Sequence, residues 1–369
     1  MANFVLLSLH FISFFVRVVV PHSYNVPALF IFGDSIFDAG NNHFKKNCTV
    51  QADFSPYGLN FFHHPTGRFT NGRTVVDFIA QFLGLGFQKP YLQVEMELRS
   101  QSRKHYPSNG INFASAGSGV LQETNRGLDV MPLQVQVQQF QALIHQNQIN
   151  VNLIQNSLFL LESGSNDIFN YFLPFGTQKL DQDKYMQAML AEVERFITQI
   201  YELGARRIAI FSLGPMGCAP ARALLPEAPL NKCFGKMNRM IKEYNIALEK
   251  LVSDLPVKFP GLRGVYGAVY TMVQQFRGTP KRYGFVEVSS ACCGNGPLGG
   301  TIQCGKEGYT LCKNPNRFLF WDYLHPTEHT CKLLAKALWG GGQVQIRPFN
   351  LTTLVSLKTH DKPPPFLVN

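Results

Sequence analysis

The chain has 369 residues, of which 45% are hydrophobic and 16% are charged, so it can bury a sizeable core and is not a disordered protein. Its formal net charge is +10, but the basic residues are scattered and no nucleic-acid-binding module can be recognised. A basic surface of this kind suits a compartment rich in polyanions, such as an acidic cell wall.

The first 23 residues have the character of a secretory signal peptide. Residues 4–20 are apolar apart from three polar residues and Arg17, and Pro21, His22 and Ser23 follow them. As a membrane anchor the stretch is slightly short, and Arg17 interrupts it, so cleavage is favoured over anchoring. We therefore expect residues 1–23 to be removed and the mature protein to be secreted, either to the extracellular space or to the cell wall.

Short apolar runs alternate with amphipathic segments along the rest of the chain. The sequence predicts strands over residues 28–32, 157–161, 207–212 and 264–266, and helices over 74–83, 181–203, 233–255 and 327–338. This alternation indicates the α/β class, with a mostly parallel sheet covered by helices on both faces. No linker divides the chain, so we expect one three-layer α/β/α domain over residues 24–354 and a flexible tail over residues 355–369.

The cysteines and glycosylation sequons are consistent with secretion. The even number of cysteines indicates disulfide bonds, although the spacing does not determine their pairing; they are Cys48, Cys218, Cys233, Cys292, Cys293, Cys304, Cys312 and Cys331. A zinc site is disfavoured because Cys292 and Cys293 are adjacent and no Cys-x-x-Cys occurs. Two Asn-x-Thr sequons predict N-linked glycans on Asn47 and Asn350.

Four short motifs, far apart in the sequence, place small and polar residues beside predicted elements. They are Gly33-Asp34-Ser35, the stretch from Gly110 to Gly117, Gly164-Ser165-Asn166-Asp167, and Asp322-Tyr323-Leu324-His325. Ser35 directly follows the strand over residues 28–32, at the edge where open α/β sheets place their sites. A serine that begins the next helix there would expose its hydroxyl. Taken alone it could be a helix cap, but the other three motifs favour a catalytic nucleophile.

A serine hydroxyl is a poor nucleophile until a base removes its proton, and His325 is the best candidate for that base. Asp322 lies three residues before it and can reach the nearer imidazole nitrogen, which leaves the other nitrogen to face Ser35. His329 is a rival candidate one helical turn further on, without an equally placed acid. The alternative for Asp322 and His325 is a surface turn that holds a salt bridge.

Acyl transfer also needs donors for the negative charge that develops on the substrate carbonyl oxygen. The candidates are the backbone N–H groups of Ser35 and Gly117 and the side-chain amide of Asn166. Gly117 lies among small residues, where a backbone can approach a ligand closely, although an ordinary loop is the alternative. Asn166 follows the strand over residues 157–161 and could instead be a turn residue. Asp167 is interpreted as a structural hydrogen-bonding residue rather than a catalytic acid.

Together, and in this order, the four motifs resemble the GDSL family of esterases and lipases, also called SGNH hydrolases, and above all its plant branch. The resemblance runs from about residue 27 to residue 354 and includes the runs over residues 32–42 and 318–322. It implies the flavodoxin-like SGNH hydrolase fold and no metal or organic cofactor. It also implies a catalytic triad of Ser35, Asp322 and His325, with an oxyanion hole formed by Ser35, Gly117 and Asn166.

One residue departs from the family pattern. Glu162 stands where many relatives have a small or apolar residue, immediately before the Gly164-Ser165-Asn166-Asp167 motif. Its carboxylate is either solvated, paired with another group, or able to tune the pocket, and the sequence leaves these alternatives open.

The resemblance implies a secreted serine hydrolase that cleaves small-molecule or lipid esters through an acyl-enzyme on Ser35. An acyltransferase, in which an alcohol replaces water, is the alternative, since some plant members of the family use the same residues in this way. A catalytically inactive binding protein is disfavoured because all four motifs are intact. We expect no nucleic-acid partner and no membrane span after signal cleavage, whereas the acyl group, the alcohol and the oligomeric state stay open.

Overall fold

The computed structural model describes residue 24 and residues 26–174 and 180–357. The expected signal peptide over residues 1–23 and residues 358–369 of the expected tail lie outside the described residues. Within that range the strands, numbered in chain order, are β1 Leu29–Gly33, β2 Lys89–Pro90, β3 Gly110–Asn112, β4 Leu158–Glu162, β5 Arg207–Phe211, β6 Arg263–Gly267, β7 Glu287–Ala291, β8 Cys293–Gly294, β9 Thr310–Leu311, β10 Phe318–Phe320 and β11 Ile346–Arg347.

The α-helices in the described part of the chain lie mostly between these strands. They are α1 Val75–Leu83, α2 Tyr91–Arg99, α3 Leu133–His145, α4 Val151–Asn156, α5 Ser165–Phe172, α6 Gln182–Glu202, α7 Gly235–Ser253, α8 Leu255–Lys258, α9 Val269–Gly278, α10 Glu328–Gly340 and α11 Leu351–Ser356. Among the described residues, no helix is both long enough and apolar enough to cross a lipid bilayer.

Seven strands form the central sheet, in the order β11-β6-β5-β4-β1-β3-β2. All neighbours in it are parallel except β11, which pairs antiparallel with β6. The five strands β3, β1, β4, β5 and β6 have the flavodoxin order, in which the direction of strand addition reverses between β1 and β4. Ligands of open α/β sheets bind at this switch point, outside the carboxyl ends of the strands. The predicted α/β class and mostly parallel sheet are confirmed.

The sheet is buried on both faces, which explains why its strands read as continuous apolar runs. Phe30 and Phe32 of β1 point into a core shared with α3, α6 and α7. Leu29 and Ile31 alternate with them and point into a second core, shared with α1, α9, α10 and α11. Helices therefore cover both faces, and the domain has the three layers that the sequence predicts.

The eight predicted elements all occur within two residues of their predicted ends, but the expected tail begins too early. Helix α11 extends to Ser356, and both Leu354 and Val355 are completely buried in the second core. The tail cannot start at residue 355 because these apolar side chains pack in the second core beside the central sheet. The other described elements were not predicted, because most of them are short or weakly amphipathic; they are β2, β3, β7 to β11, α2, α3, α4, α5, α8, α9 and α11.

Six of the eight cysteines form disulfide bonds. The pairs are Cys218–Cys233, Cys292–Cys312 and Cys293–Cys304. Two of these bonds hold the glycine-rich segment around β8 and β9, where little regular structure would otherwise order the chain. Cys48 and Cys331 are free thiols, and both are buried.

Candidate active site

Ser35 lies at the carboxyl end of β1, at the switch point of the sheet. Gly33 must be glycine, because its φ is +143° and a Cβ there would lie 2.0 Å from the backbone oxygen of Glu162 in β4. Ser35 then occupies a hydrogen-bonded turn, in which the backbone N–H of Asp38 donates to the Asp34 oxygen at 2.9 Å. The expectation that Ser35 begins a helix is therefore wrong. Asp34 Oδ1 accepts from the Ile36 N–H at 3.0 Å and stabilises a tight turn instead.

Ser35, His325 and Asp322 form one continuous chain of contacts. His325 Nε2 lies 2.7 Å from Ser35 Oγ, and His325 Nδ1 lies 2.8 Å from each carboxylate oxygen of Asp322. The exposed fraction is 9% for Ser35, 3% for His325 and zero for Asp322. The acid is thus fully shielded from water, whereas the serine hydroxyl lies at the edge of the protein interior. This is the arrangement of a serine nucleophile, a base and an orienting acid.

A local turn aims the Asp322 carboxylate at the imidazole. Asp322 Oδ1 accepts hydrogen bonds from the backbone N–H groups of Leu324, at 2.9 Å, and of His325, at 2.8 Å. Burial by itself would raise the pKa of Asp322, but the adjacent His325 and these hydrogen bonds outweigh it and hold that pKa below its usual value. Asp322 is therefore an anion at neutral pH, as an orienting acid must be.

Tyr57 is a member of the site that the sequence analysis missed. Its hydroxyl donates to Asp322 Oδ2 at 2.7 Å, from 265 residues away in the sequence. Burial, and then the charge of Asp322, raise the pKa of Tyr57 well above its usual value, so the hydroxyl keeps its proton and stays a donor. No local sequence pattern connects the two residues, and only the folded chain shows their contact.

The candidate oxyanion donors lie around the same serine. In the described part of the chain, neither the backbone N–H of Ser35 nor that of Gly117 has a protein acceptor. Gly117 has φ +79°, a conformation that L side chains rarely adopt. The Asn166 amide, in the first turn of α5, donates to the Ser118 carbonyl oxygen at 3.0 Å and lies only 3.4 Å from Asp34 Oδ2. One amide N–H is thus firmly bonded beside Gly117, and the other is weakly engaged.

Two buried residues hold the segments that carry Gly117 and Ser35. Asp167 accepts hydrogen bonds from the backbone N–H groups of Val120 and Leu121, both at 3.0 Å, and from the Thr124 hydroxyl at 2.7 Å. Its contacts are those of a structural residue. Gln136, which the sequence analysis also missed, accepts from the Gly33 N–H at 2.9 Å and donates to the Gly33 oxygen at 2.9 Å. Its position inside α3 gave no sign of this role.

His329 does not take part in this arrangement. Its Nε2 lies 2.8 Å from the backbone oxygen of Tyr283, and its ring packs edge-on against Phe285. Among the histidines in the described part of the chain, His325 alone contacts the Ser35 hydroxyl.

Asp34 and Glu162 form a buried pair of carboxyl groups beside the nucleophile. Their exposed fractions are 1% and 4%, and the Asp34 N–H donates to the Glu162 backbone oxygen at 3.3 Å, so the two residues lie side by side at the carboxyl ends of β1 and β4. Burial raises the pKa of Asp34 to about 6, and burial together with the charge of Asp34 raises the pKa of Glu162 well above its usual value. Glu162 is therefore paired rather than solvated.

An apolar cavity of about 80 Å³ adjoins Glu162. Its walls include the sequence neighbours of Ser35, His325 and Asn166, together with Glu162; these neighbours are Ile36, Leu324, Pro326 and Ser165. Among the described residues that line the cavity, Glu162 is the only one with an ionisable carboxyl or basic group. This apolar surrounding is the physical reason that burial dominates the pKa of Glu162.

The two sequon asparagines differ in their surroundings. Asn47 is exposed and lies in the turn over residues 46–47. Asn350 caps α11: its side-chain oxygen accepts from the Thr353 N–H at 3.0 Å, and its amide donates to the Gly341 oxygen at 3.2 Å. A glycan on Asn350 would have to accommodate these contacts, whereas Asn47 is unobstructed.

Comparisons with known proteins agree with this site. The family model described as GDSL-like Lipase/Acylhydrolase matches residues 29–338. The chain is 61% identical over 341 residues to GDSL esterase/lipase 6 of Arabidopsis thaliana, covering 92% of this chain and 94% of that protein. It is 33% identical to GDSL esterase/lipase 5 of the same plant, over 90% of this chain and 88% of the relative. It is 32% identical to a GDSL lipase of Tanacetum cinerariifolium, over 92% of this chain and 91% of that relative. The chain therefore belongs to the GDSL family of lipases and acylhydrolases.

Proposed function

We propose that this chain is a secreted ester hydrolase that works through an acyl-enzyme on Ser35. Ester hydrolysis follows from membership of the GDSL family and from relatives named as esterases or lipases over nearly the whole chain. The observation that carries the catalytic assignment is the unbroken chain of contacts from Ser35 Oγ through His325 to Asp322.

The geometry supports a two-step acyl transfer. His325 Nε2 takes the Ser35 proton while Oγ attacks the ester carbonyl carbon, and the same nitrogen then returns the proton to the departing alcohol. In the second step, His325 takes a proton from water, which attacks the acyl-enzyme and releases the acid. The Asp322 anion keeps the imidazole in the required tautomer and stabilises the imidazolium in both steps. The Tyr57 hydroxyl holds Asp322 in place.

The oxyanion is assigned to three donors, the N–H groups of Ser35 and Gly117 and the amide of Asn166. Because neither backbone N–H has an acceptor among the residues that the structure describes, both are free to bind the substrate oxygen. Donors that are already oriented cost no reorganisation when negative charge develops, and each typically supplies a few kcal/mol to the transition state.

Hydrolysis is favoured over transfer to an alcohol. The relatives that match over most of this chain are named as esterases or lipases. The acyltransferase alternative has no observation of its own in the site, because both reactions use the same residues. We therefore assign water as the acyl acceptor.

The proposal of secretion rests on the signal-like start of the chain and on its disulfide bonds. Disulfides are typical of oxidising compartments, and this chain has three of them. The exposed sequon makes Asn47 the better candidate for a glycan, and Asn350 the second.

A fluorophosphonate probe tests the nucleophile directly. The probe should label the native protein, and mass mapping should place the adduct on Ser35. Labelling that persists in a folded Ser35→Ala variant, or that maps to another residue, would contradict the assignment. A matched control is Ser118→Ala, since Ser118 is also buried near the site and its hydroxyl donates to the Gly33 oxygen rather than contacting His325. That variant should still be labelled.

A further inference from the structure

The Asp34–Glu162 pair lacks the cation that usually balances two buried carboxyl groups. In the described part of the chain, neither residue forms an ion pair with lysine or arginine. Glu162 Oε1 accepts from the Ser165 hydroxyl at 3.3 Å, and Glu162 Oε2 has no donor among the described residues. A carboxylate oxygen buried without a donor is costly, whereas the O–H of a neutral carboxyl needs only an acceptor. Asp34 lies beside Glu162, at the end of the neighbouring strand, and can serve as that acceptor.

Asp34 contacts both the turn that carries the proposed nucleophile, Ser35, and the amide of the proposed oxyanion donor, Asn166. Its Oδ1 accepts from the Ile36 N–H and holds the turn that carries Ser35. Its Oδ2 lies 3.4 Å from the Asn166 amide nitrogen, farther than the 3.0 Å bond from the same nitrogen to Ser118. A more basic Asp34 carboxylate would draw that amide away from the substrate.

We propose that Glu162 is a positioning residue of the catalytic centre, which holds a proton and donates it to Asp34, so that the Asn166 amide stays available to the substrate oxyanion. The inference rests on the proposed roles of Ser35 and Asn166. It also explains why a carboxyl group can stand where family members often have a small or apolar side chain.

The charge of the pair matters because the oxyanion forms nearby. With the proton in place, the pair carries one negative charge, which is partly neutralised by the hydrogen bond between the two carboxyl groups. Loss of the proton puts a second negative charge beside the developing oxyanion, and like charges repel strongly where water is excluded. The other titratable groups that interact with the pair are His325, Asp167 and Tyr244.

The protonation of the Asp34–Glu162 pair determines the direction in which kcat should change with pH. Because the shared proton is present at low pH and leaves at high pH, Glu162 should contribute a decline of kcat on the alkaline side.

Two substitutions by side chains of similar size distinguish the effect of the hydrogen-bond donor at residue 162 from the effect of side-chain volume. Glu162→Gln keeps a donor that cannot ionise, so kcat should stay within about threefold of native and the alkaline decline should be smaller. Glu162→Leu removes the donor and leaves Asp34 without its partner, so kcat should fall by about tenfold or more with little change in KM. Thermal unfolding of both variants should confirm that they are folded.

The rate of fluorophosphonate labelling at Ser35 gives the same comparison without an ester substrate. Across about pH 6 to pH 9, labelling should slow in Glu162→Leu but not in Glu162→Gln. Equal rates and equal pH profiles in all three folded proteins would overturn the role of Glu162, as would equal losses in both variants. If the native protein is labelled but cleaves no ester, ester hydrolysis fails as its function, and the labelling rates still decide the role of Glu162.

Discussion

The hydroxyl of Tyr57 donates to the carboxylate of Asp322 at 2.7 Å, on the oxygen that does not bond to the Leu324 and His325 N–H groups. The carboxylate is thereby held on both sides and cannot rotate away from His325. Trp321 packs near the Tyr57 ring at 6.3 Å between centroids, and both side chains are almost completely buried. The loop before α1 thus supports an acid from the far end of the chain.

Tyr57→Phe should reduce kcat by about tenfold, because one hydrogen bond to a buried anion is lost while the ring packing is kept. Since the hydrogen bond from Tyr57 lowers the pKa of Asp322, its loss raises that pKa, and the acid side of the kcat/KM profile should move to higher pH. Steady-state kinetics across pH would measure both effects. Tyr201→Phe is the matched control. Tyr201 lies at the end of α6, and this variant loses only the hydrogen bond from its hydroxyl to the Pro260 backbone oxygen, so its pH profile of kcat/KM should equal that of the native protein. An unchanged profile in Tyr57→Phe would remove Tyr57 from the site.

Asp322→Asn should lower kcat by about four orders of magnitude while the fold remains intact. The amide cannot stabilise an imidazolium, and it favours the wrong tautomer of His325. His325→Ala should nearly abolish turnover and Ser35 labelling, since no base remains within reach of the hydroxyl. Rapid labelling of a folded His325→Ala protein would show that another group activates Ser35.

Asn166→Ala should lower kcat by about a hundredfold or more with little change in KM, because the lost donor acts mainly in the transition state. Labelling of Ser35 should become slower but remain possible, since the nucleophile and base are intact. Asn166→Asp should be at least as damaging, because it places a negative charge against the forming oxyanion. Asn156→Ala, which removes an amide that bonds only to Asn152, is the control and should be fully active. Near-normal kcat in Asn166→Ala would make Asn166 a turn residue.

Protein isolated from its native cells should begin between His22 and Val26 and should contain two free thiols. These thiols are Cys48 and Cys331, and both are buried, so a thiol reagent should react with them only after denaturation. Amino-terminal sequencing and thiol titration under denaturing conditions would measure these features. An intact Met1 together with eight reactive thiols would contradict both secretion and the disulfide pairing.

Much of the candidate active site was predictable because its signals are local. Asp322 and His325 are three residues apart, a spacing that a single turn can close, and the structure has them in contact. Ser35 and Asn166 each follow an apolar run, and such runs become buried parallel strands whose carboxyl ends meet at one edge. Their side chains therefore converge once the strands are correctly identified, whatever the details of packing.

The order of strands across the sheet, by contrast, was decided only by the tertiary structure. Because β4 lies beside β1, Glu162 and Asp34 become neighbours beneath Ser35, a contact that neither motif predicts by itself. The Tyr57–Asp322 bond and the three disulfides likewise join residues whose separations carry no periodic signal. Periodicity and short spacings depend on the local backbone and can be read from the sequence. Contacts between distant residues depend on how the layers pack, and packing is a property of the whole chain.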